Sequence, residues 1–272
     1  MTDRYGVIGN PIAHSQSPLI HAEFARQTCE DIVYVRVLSP VAGFAAEVGR
    51  FRTQGGRGLN VTLPFKEEAY RLASLCSEPA RAAKAVNTLR FDLTAVFGDN
   101  TDGVGLVRDI CDNLGFGLEG RRVLLLGAGG AARGVIAPIL SEHPAGFTVA
   151  NRTIERATRL AEAFGAPVEA STYAGLSGRN FDAVINATSA SLTGELPPLP
   201  RGVFAPGALG YDLAYGEVRS PFIERALSEG AALAADGLGM LVEQAAESFF
   251  IWRGVRPLTA PVLATLRNAP LP

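Results

Sequence analysis

Short apolar runs alternate along the chain with stretches whose apolar positions recur every three or four residues. Tyr5-Gly-Val-Ile, Val33-Tyr-Val-Arg-Val and Gly58-Leu-Asn-Val read as strands, the second for its β-branched side chains. Residues 17–27 and 41–54 read as helices, with Ser17 as N-cap and Pro18 at the first helical position of the former. Pro64 is expected to open another helix, capped by Thr62 or Leu63, and residues 88–92 and 95–98 to pair as a hairpin. This alternation predicts α/β layering with right-handed crossovers.

A second rhythm begins near Asp102. A helix is expected over 104–114. Arg122-Val-Leu-Leu-Leu then runs apolar without a break, as a strand does in a parallel sheet covered on both faces. Helices follow at 131–140, 154–164 and 221–229, the last capped by Ser220. Strands follow at 147–151, 182–186, 208–212 and 231–235, and a long amphipathic helix at 238–252. Leu196-Pro-Pro-Leu-Pro reads as a surface loop.

The chain has 272 residues, which at ~150 residues per domain suggests about two domains. Hydrophobic residues make up 47% and charged residues 19%, an ordinary globular balance that excludes wholesale disorder. The formal net charge of −2 excludes a global basic field for nucleic acid or an anionic membrane, so neither is expected as a partner. Cys29, Cys76 and Cys111 are an odd number without metal-ligand spacing. They fit three thiols in a reducing cytoplasm, and no metal is expected. Residues 1–5 are followed by no apolar run that could serve as a secretory core. The apolar stretch 240–252 is interrupted by Glu243, Gln244 and Glu247, which argues against a membrane span.

The run Gly127-Ala-Gly129-Gly130-Ala-Ala132 follows the apolar strand and opens a helix. Gly127 permits the sharp turn, Gly129 lets backbone N–H groups approach a pyrophosphate, and the small Ala132 lets the helix pack close to the sheet. A Gly-rich turn of this kind is weak evidence alone. Its strand–loop–helix setting makes it a dinucleotide site. The next strand ends in Asn151-Arg152-Thr153, not in the acid that would accept from a ribose 2′-OH. Arg152 and Arg156, one helical turn apart, suit a 2′-phosphate and so favour NADP, although paired arginines are often simply solvated.

The first half carries polar residues where strands end: Ser15 and Ser17, Asn60 and Thr62, Asn87, and Asn100-Thr-Asp102-Gly. Ligands of open α/β sheets sit at such ends. This mix of hydroxyl, amide and carboxylate suits a small polyhydroxylated acid. Singly, Ser17 reads as a cap and Asn-Thr-Asp-Gly as a turn. Lys66 falls in the first turn of a helix, where the macrodipole disfavours a cation. It is the acid/base candidate, with Asp102 as its carboxylate partner.

In order and spacing, Gly9-Asn-Pro-Ile-Ala-His-Ser-Gln-Ser-Pro, Asn60-Val-Thr-Leu-Pro-Phe-Lys66, Ala85-Val-Asn-Thr88, Asn100-Thr-Asp-Gly103, Gly127-Ala-Gly-Gly130, Asn151-Arg-Thr153, Asn186-Ala-Thr-Ser189 and Asp236-Gly-Leu-Gly-Met240 resemble the shikimate dehydrogenase family. The resemblance implies two α/β domains: a substrate-binding and catalytic domain over 1–102 and a Rossmann-like NADP-binding domain over 103–236. A C-terminal helical segment, 237–272, would return to the first domain. It implies reduction of 3-dehydroshikimate to shikimate with NADPH, in aromatic amino-acid biosynthesis, by a cytoplasmic monomer or homodimer. Ser15 and Ser17 would hold the substrate carboxylate. Asn60, Thr62, Asn87, Asp102, Tyr215 and Gln244 would contact that edge or the ring hydroxyls. Lys66 and Asp102 would be the catalytic pair. Gly127, Ala128, Gly129, Gly130, Ala131, Asn151, Arg152, Thr153, Arg156, Thr188 and Gly237 would line the NADP site, with Glu78 assigned there too. Leu213 would offer backbone to the nicotinamide and Met240 would lie near the same ring. Ala190-Ser191-Leu192-Thr193 departs from the Ser/Gly-rich turn of the family. The alternatives are a quinate/shikimate paralogue using NAD, against which Asn151 speaks, and a non-catalytic sensing domain, against which Lys66 and Asp102 speak.

Overall fold

The computed structural model describes residues 2–216 and 220–268. The chain divides into two compact units. One comprises the described residues of Met1–Gly105 and Val242–Pro270, the other Leu106–Leu241.

The first unit opens with β1 (Asp3–Gly9), α1 (Ser17–Thr28), β2 (Ile32–Leu38), α2 (Phe44–Thr53) and β3 (Gly56–Val61). It continues with α3 (Lys66–Leu72), β4 (Leu75–Cys76), α4 (Glu78–Ala83), β5 (Thr88–Phe91), β6 (Val96–Asp99) and α5 (Asp102–Arg108). Its sheet has the order β2-β1-β3-β5-β6-β4. Strand β1 pairs in parallel with β2 on one side and β3 on the other. The chain passes from β1 out to β2 and then back past β1 to β3, so the strand order reverses there, and the ends of β1 and β3 form the crevice where such sheets bind ligands. The hairpin β5–β6 is antiparallel, as its spacing predicts. Ile8, Leu59 and Val61 face Phe44, Phe65 and Leu89 in one core.

Several helix starts differ from expectation: α2 begins at Phe44 rather than residue 41 and α5 at Asp102 rather than residue 104, and α1 and α3 differ as follows. Helix α1 has Gln16, not Ser17, as N-cap, and no side chain caps it; Ser17 is buried as its first residue. Helix α3 starts at Lys66 rather than Pro64. Residues 62–65 form a turn closed by the Phe65 N–H on the Thr62 carbonyl, and neither Thr62 nor Leu63 caps. Strand β4 and helix α4 are too short to carry a periodic signal.

After α5 the helix continues as a π-helical turn, Asp109–Asn113. The second unit then holds β7 (Arg122–Leu126), α6 (Gly130–Leu140), β8 (Gly146–Ala150), α7 (Ile154–Phe164), β9 (Val168–Ser171), β10 (Phe181–Asn186), β11 (Phe204–Asp212), α8 (Pro221–Ser228) and β12 (Leu233–Ala235). Its sheet is wholly parallel, in the order β12-β11-β10-β7-β8-β9. Counted within the unit, this is 3-2-1-4-5-6, the dinucleotide-binding order, whose switch point lies between β7 and β10. The unbroken apolar run of β7 follows directly. Val123 and Leu125 join the core on one face, Leu124 and Leu126 the core on the other. Each such fully buried side chain contributes roughly 1.5–3 kcal/mol.

Helix α9 (Leu238–Arg253) begins in the second unit and, from Val242, belongs to the first; α10 (Ala260–Asn268) follows. Within the first unit Trp252 of α9 stacks on Tyr5, with centroids 4.6 Å apart, and donates its indole N–H to the Leu89 carbonyl. Arg253 pairs with Asp3 at 2.5 Å and also with Glu30. These contacts join the C-terminal helix to the first sheet. The sequence reading puts boundaries at the starts of the two connecting helices; the compact units divide inside α5 and α9, because each helix gives side chains to both. Among the described residues, no helix is long and apolar enough to cross a membrane.

Candidate active site

The strand-end polar residues of the first unit form one connected network. Asn60 ends β3 beside Val61. Its Nδ2 reaches the Asn87 carbonyl at 3.2 Å, Thr88 Oγ1 at 3.1 Å and Ser248 Oγ at 2.9 Å. Its Oδ1 accepts from the Tyr34 hydroxyl at 2.7 Å, which leaves one lone pair for anything else. Asn87 Oδ1 accepts from the Thr101 N–H at 2.9 Å. Asn87 Nδ2 donates to Thr101 Oγ1 at 3.0 Å, Asp102 Oδ1 at 2.8 Å and Gln244 Oε1 at 3.4 Å. Asn60, Asn87, Thr88, Thr101, Asp102 and Ser248 are all buried. Buried polar groups cost stability unless paired, so this density of mutual bonds is what lets an amide and hydroxyl cluster persist in a core.

Lys66 stands at the rim of that network. Its Nζ lies 2.5 Å from Asp102 Oδ2, with 27% of the Lys66 and 10% of the Asp102 side chain exposed. Asp102 begins α5, its N–H bonded to Asn100 Oδ1. One carboxylate oxygen therefore holds Lys66 and the other is held by Asn87. The ammonium is fixed in direction yet still reaches solvent or a bound molecule.

At the end of β1, Ser15 Oγ accepts from the Ser17 N–H at 3.3 Å, so its own proton stays available. Arg36 of β2 grips the Ser15 carbonyl through two N–H groups at 3.1 and 2.6 Å. Ser17 is buried close to the Tyr34 phenol, whose pKa burial pushes well above its ordinary value. Thr62 donates its backbone N–H to Ile8, and its side chain is only partly covered. Beneath this layer His21 is fully buried and stacks on Tyr34, with centroids 4.1 Å apart and planes 6° apart. Neither imidazole nitrogen has a well-formed hydrogen bond. Burial lowers its pKa to about 3, opposed only in part by nearby Asn60.

In the second unit β7 runs into Gly127, whose φ of +101° is a left-handed conformation that favours glycine. A Cβ there would stand 3.0 Å from the Ala187 carbonyl oxygen. At Gly129 and Gly130 an added Cβ would meet no protein atom within 4 Å. Space that the chain leaves empty around two glycines is space for a ligand's backbone contacts. No side chain caps α6, so its first-turn N–H groups stay open to an anion. Ala128 and Ala131 flank the glycines with small side chains, and Ala132 is fully buried against the sheet. After β8, Asn151 Nδ2 bonds the Thr153 carbonyl at 2.9 Å, which shapes the turn into α7. Arg152 and Arg156 are exposed there, and neither takes part in an ion pair among the described residues. The residues present thus fit a phosphorylated dinucleotide.

At the ends of β10 and β11, the Thr188 hydroxyl donates to Asn186 Oδ1 at 2.7 Å and the Leu213 N–H to the Asn186 carbonyl at 2.9 Å. A Cβ on Gly237 would stand 2.2 Å from the Leu213 carbonyl oxygen, so these two backbones touch. Met240 and Leu213 both pack on the β7–β8 core face, and Tyr215 is 39% exposed. The atypical turn after Thr188 is anchored in its own way: the Ser191 hydroxyl donates to buried Asp212 at 2.5 Å. Glu78 is exposed in the first turn of α4, where an acid complements the helix dipole, and it belongs to the first unit. Sequence reasoning gave no site role to Tyr34, His21, Arg36, Thr88, Thr101 or Ser248. Thr88 and Thr101 lie inside the motifs it singled out, and Ser248 lies one helical turn beyond Gln244.

Three family profiles match the chain: shikimate dehydrogenase substrate binding domain over residues 7–89, shikimate / quinate 5-dehydrogenase over 109–193, and shikimate 5′-dehydrogenase C-terminal domain over 237–267. The shikimate dehydrogenase (NADP(+)) of Dechloromonas aromatica is 60% identical over 269 residues, covering 98% of each chain. Among solved structures, an Ael1 enzyme from Pseudomonas putida superposes with a TM-score of 0.94 at 48% identity, covering 100% of each chain. A shikimate 5-dehydrogenase from Thermus thermophilus, solved in complex with NADP(H) and shikimate, superposes with a TM-score of 0.89 at 31% identity, covering 98% of this chain and 99% of the other.

Proposed function

The chain belongs to the shikimate dehydrogenase family, and from that premise we propose how its residues divide the work of the reaction it catalyses, the reversible NADP-dependent interconversion of 3-dehydroshikimate and shikimate. NADPH supplies the hydride in the reductive direction. Lys66 gives a proton to the carbonyl oxygen as that carbon is reduced, and takes it back from the hydroxyl in the oxidative direction. Asp102 holds the Lys66 ammonium in place and is itself held by Asn87. The observation that carries this reading is the Lys66–Asp102 pair at 2.5 Å, set on a buried network of neutral polar groups.

Ser15 and Ser17 take the substrate carboxylate. With Asn60, Thr62, Asn87, Asp102, Tyr215 and Gln244 they surround its hydroxyls and carboxylate edge. A clamp of neutral hydroxyls leaves Lys66 free for chemistry. The segment 127–131 cradles the pyrophosphate, Asn151, Arg152, Thr153 and Arg156 take the 2′-phosphate end, and Thr188, Leu213, Gly237 and Met240 line the nicotinamide. Glu78 is included here on the family resemblance alone. We place the enzyme in the cytoplasm as a monomer or homodimer; the free thiols of Cys29, Cys76 and Cys111 support that compartment.

The test is a four-way assay of NADP⁺ and NAD⁺ with shikimate and quinate. Quinate carries its carboxylate on a tetrahedral carbon with an added hydroxyl, and leaving such a group unpaired costs roughly 1–3 kcal/mol. We expect NADP⁺ to be preferred and kcat/KM for shikimate to exceed that for quinate at least ~10-fold. Equal efficiency on quinate, or a preference for NAD⁺, would move the chain to the quinate/shikimate alternative. Asn151 and the exposed arginines argue against that outcome.

A further inference from the structure

A buried carboxylate outside the Lys66 network has no part in the roles assigned so far. Asp109 starts the π-helical turn that follows α5 and is 1% exposed. Its Oδ2 accepts from the Tyr211 hydroxyl at 2.6 Å, and its Oδ1 from Asn113 Nδ2 at 2.9 Å. The carboxylate also fills the space beside Gly239, where an added Cβ would lie 1.9 Å from Oδ1 and 2.2 Å from Oδ2. Gly239 is therefore glycine because Asp109 occupies its side-chain position.

The same hydroxyl of Tyr211 accepts from the Met240 N–H at 3.3 Å. That N–H belongs to the first turn of α9, which carries no acidic residue of its own. Asp236 Oδ1 accepts the Leu238 N–H and the Gly237 carbonyl accepts the Leu241 N–H. The donors of this turn are thus shared among Asp236, Tyr211 and Gly237. Asp109 brings the negative charge that a helix N-terminus favours, from another segment. Burial and that neighbouring charge keep the Tyr211 phenol protonated far above its ordinary pKa, so it remains a donor to Asp109.

Resting on the reading that Leu213, Gly237 and Met240 line the nicotinamide, we propose that Asp109 and Tyr211 are positioning residues that lock this wall in place. The chain of contacts is short. Asp109 orients the Tyr211 hydroxyl, the hydroxyl holds the Met240 N–H, and the turn so fixed presses Gly237 onto the Leu213 carbonyl. A π-helical turn at Asp109 re-aims its side chain toward that wall, and such turns recur at functional sites. The pair would act on the geometry of hydride transfer without touching either reactant, and it lies wholly in the unit that does not hold the Ser15, Asn60 and Lys66 groups.

The experiment is steady-state and binding analysis of Tyr211→Phe and Asp109→Asn, using shikimate carrying deuterium at the oxidised carbon. Losing one buried hydrogen bond that is needed in the transition state lowers kcat by about tenfold. We expect that fall in both variants, with KM for shikimate within about twofold of wild type and a primary isotope effect that rises as hydride transfer becomes rate-limiting. A merely structural role would lower the melting temperature and leave the isotope effect unchanged. Folded Tyr211→Phe with wild-type kcat and isotope effect overturns the proposal. If Tyr211→Phe does not fold, Asp109→Asn decides by the same readouts, since it keeps the shape but removes the charge and leaves one acceptor oxygen where Tyr211 and Asn113 use two. Gly237→Ala, which forces the wall itself to shift, separates the two readings. If it leaves NADP⁺ affinity and kcat unchanged, the assignment of the wall fails. If it impairs them while Tyr211→Phe and Asp109→Asn do not, only the positioning role fails.

Discussion

The two sites use opposite physics. In the first unit Asn60, Asn87, Thr88, Thr101 and Ser248 are buried and neutral and satisfy one another, spending most of their hydrogen bonds internally. The nucleotide loop of the second unit offers bare glycines, an uncapped helix start, and two exposed arginines outside any ion pair among the described residues. A polyol acid with one charge is recognised by groups already fixed in place, because an unpaired buried hydroxyl is costly. A cofactor with several phosphates brings its own charge, so backbone dipoles and exposed guanidiniums are sufficient. Substitutions in the first site should therefore couple chemistry to stability, and those at the arginines should change affinity alone.

The largest expected effect is at Lys66. Lys66→Ala should lower kcat by ~10²–10⁴, the usual worth of a positioned acid/base, while KM for shikimate changes much less. A folded variant keeping more than about a tenth of wild-type kcat would remove Lys66 from the chemistry and leave the first site a binding network only. Next comes Arg152. A charge-assisted bond contributes ~1.5–3 kcal/mol, so Arg152→Ala should weaken NADP⁺ by about tenfold to a hundredfold, with NAD⁺ kinetics and melting temperature nearly unchanged. An equal rise in both KM values would mean that the arginine serves the pyrophosphate or the fold, and would blur the contrast between the two sites.

The smallest effect is read from stability against pH. His21 is fully buried beneath the first site, and burial holds its imidazole at about 3, below the unfolded value near 6.5. Between these values the unfolded chain binds the proton and the folded chain does not. The stabilisation is therefore complete above the unfolded value and is lost as the pH falls. Wild type should lose about 2 kcal/mol of unfolding free energy between about pH 7.5 and 5 from this residue alone. His21→Phe, which keeps a ring against Tyr34, should flatten that part of the curve in denaturant titrations. Parallel curves for the two proteins would show that the imidazole does not set the acid limb.

Much of this molecule follows from local signals. The apolar run 122–126, the glycines after it and the small Ala132 prescribe a covered parallel strand, a tight turn and a helix start, because each requirement concerns neighbours in sequence. The boundaries of α7, Ile154–Phe164, are those expected from its periodicity alone. The strand-end positions of Asn60, Asn87, Lys66 and Asp102 are equally legible, since polar residues abutting apolar strands point to the ligand-binding ends of a sheet. Tertiary structure decided what those residues touch. Ser17 looks like a helix cap and instead is the buried first residue of the helix, close to Tyr34, while Gln16 takes the N-cap position. Asn60 meets Ser248 across a separation of 188 residues, and Tyr211 meets Asp109 across 102. No periodicity encodes such pairs. They exist only because two helices, α9 and the one that begins at Asp102, pack where distant strands end, and burial then makes an unpartnered amide, hydroxyl or carboxylate too costly to leave alone.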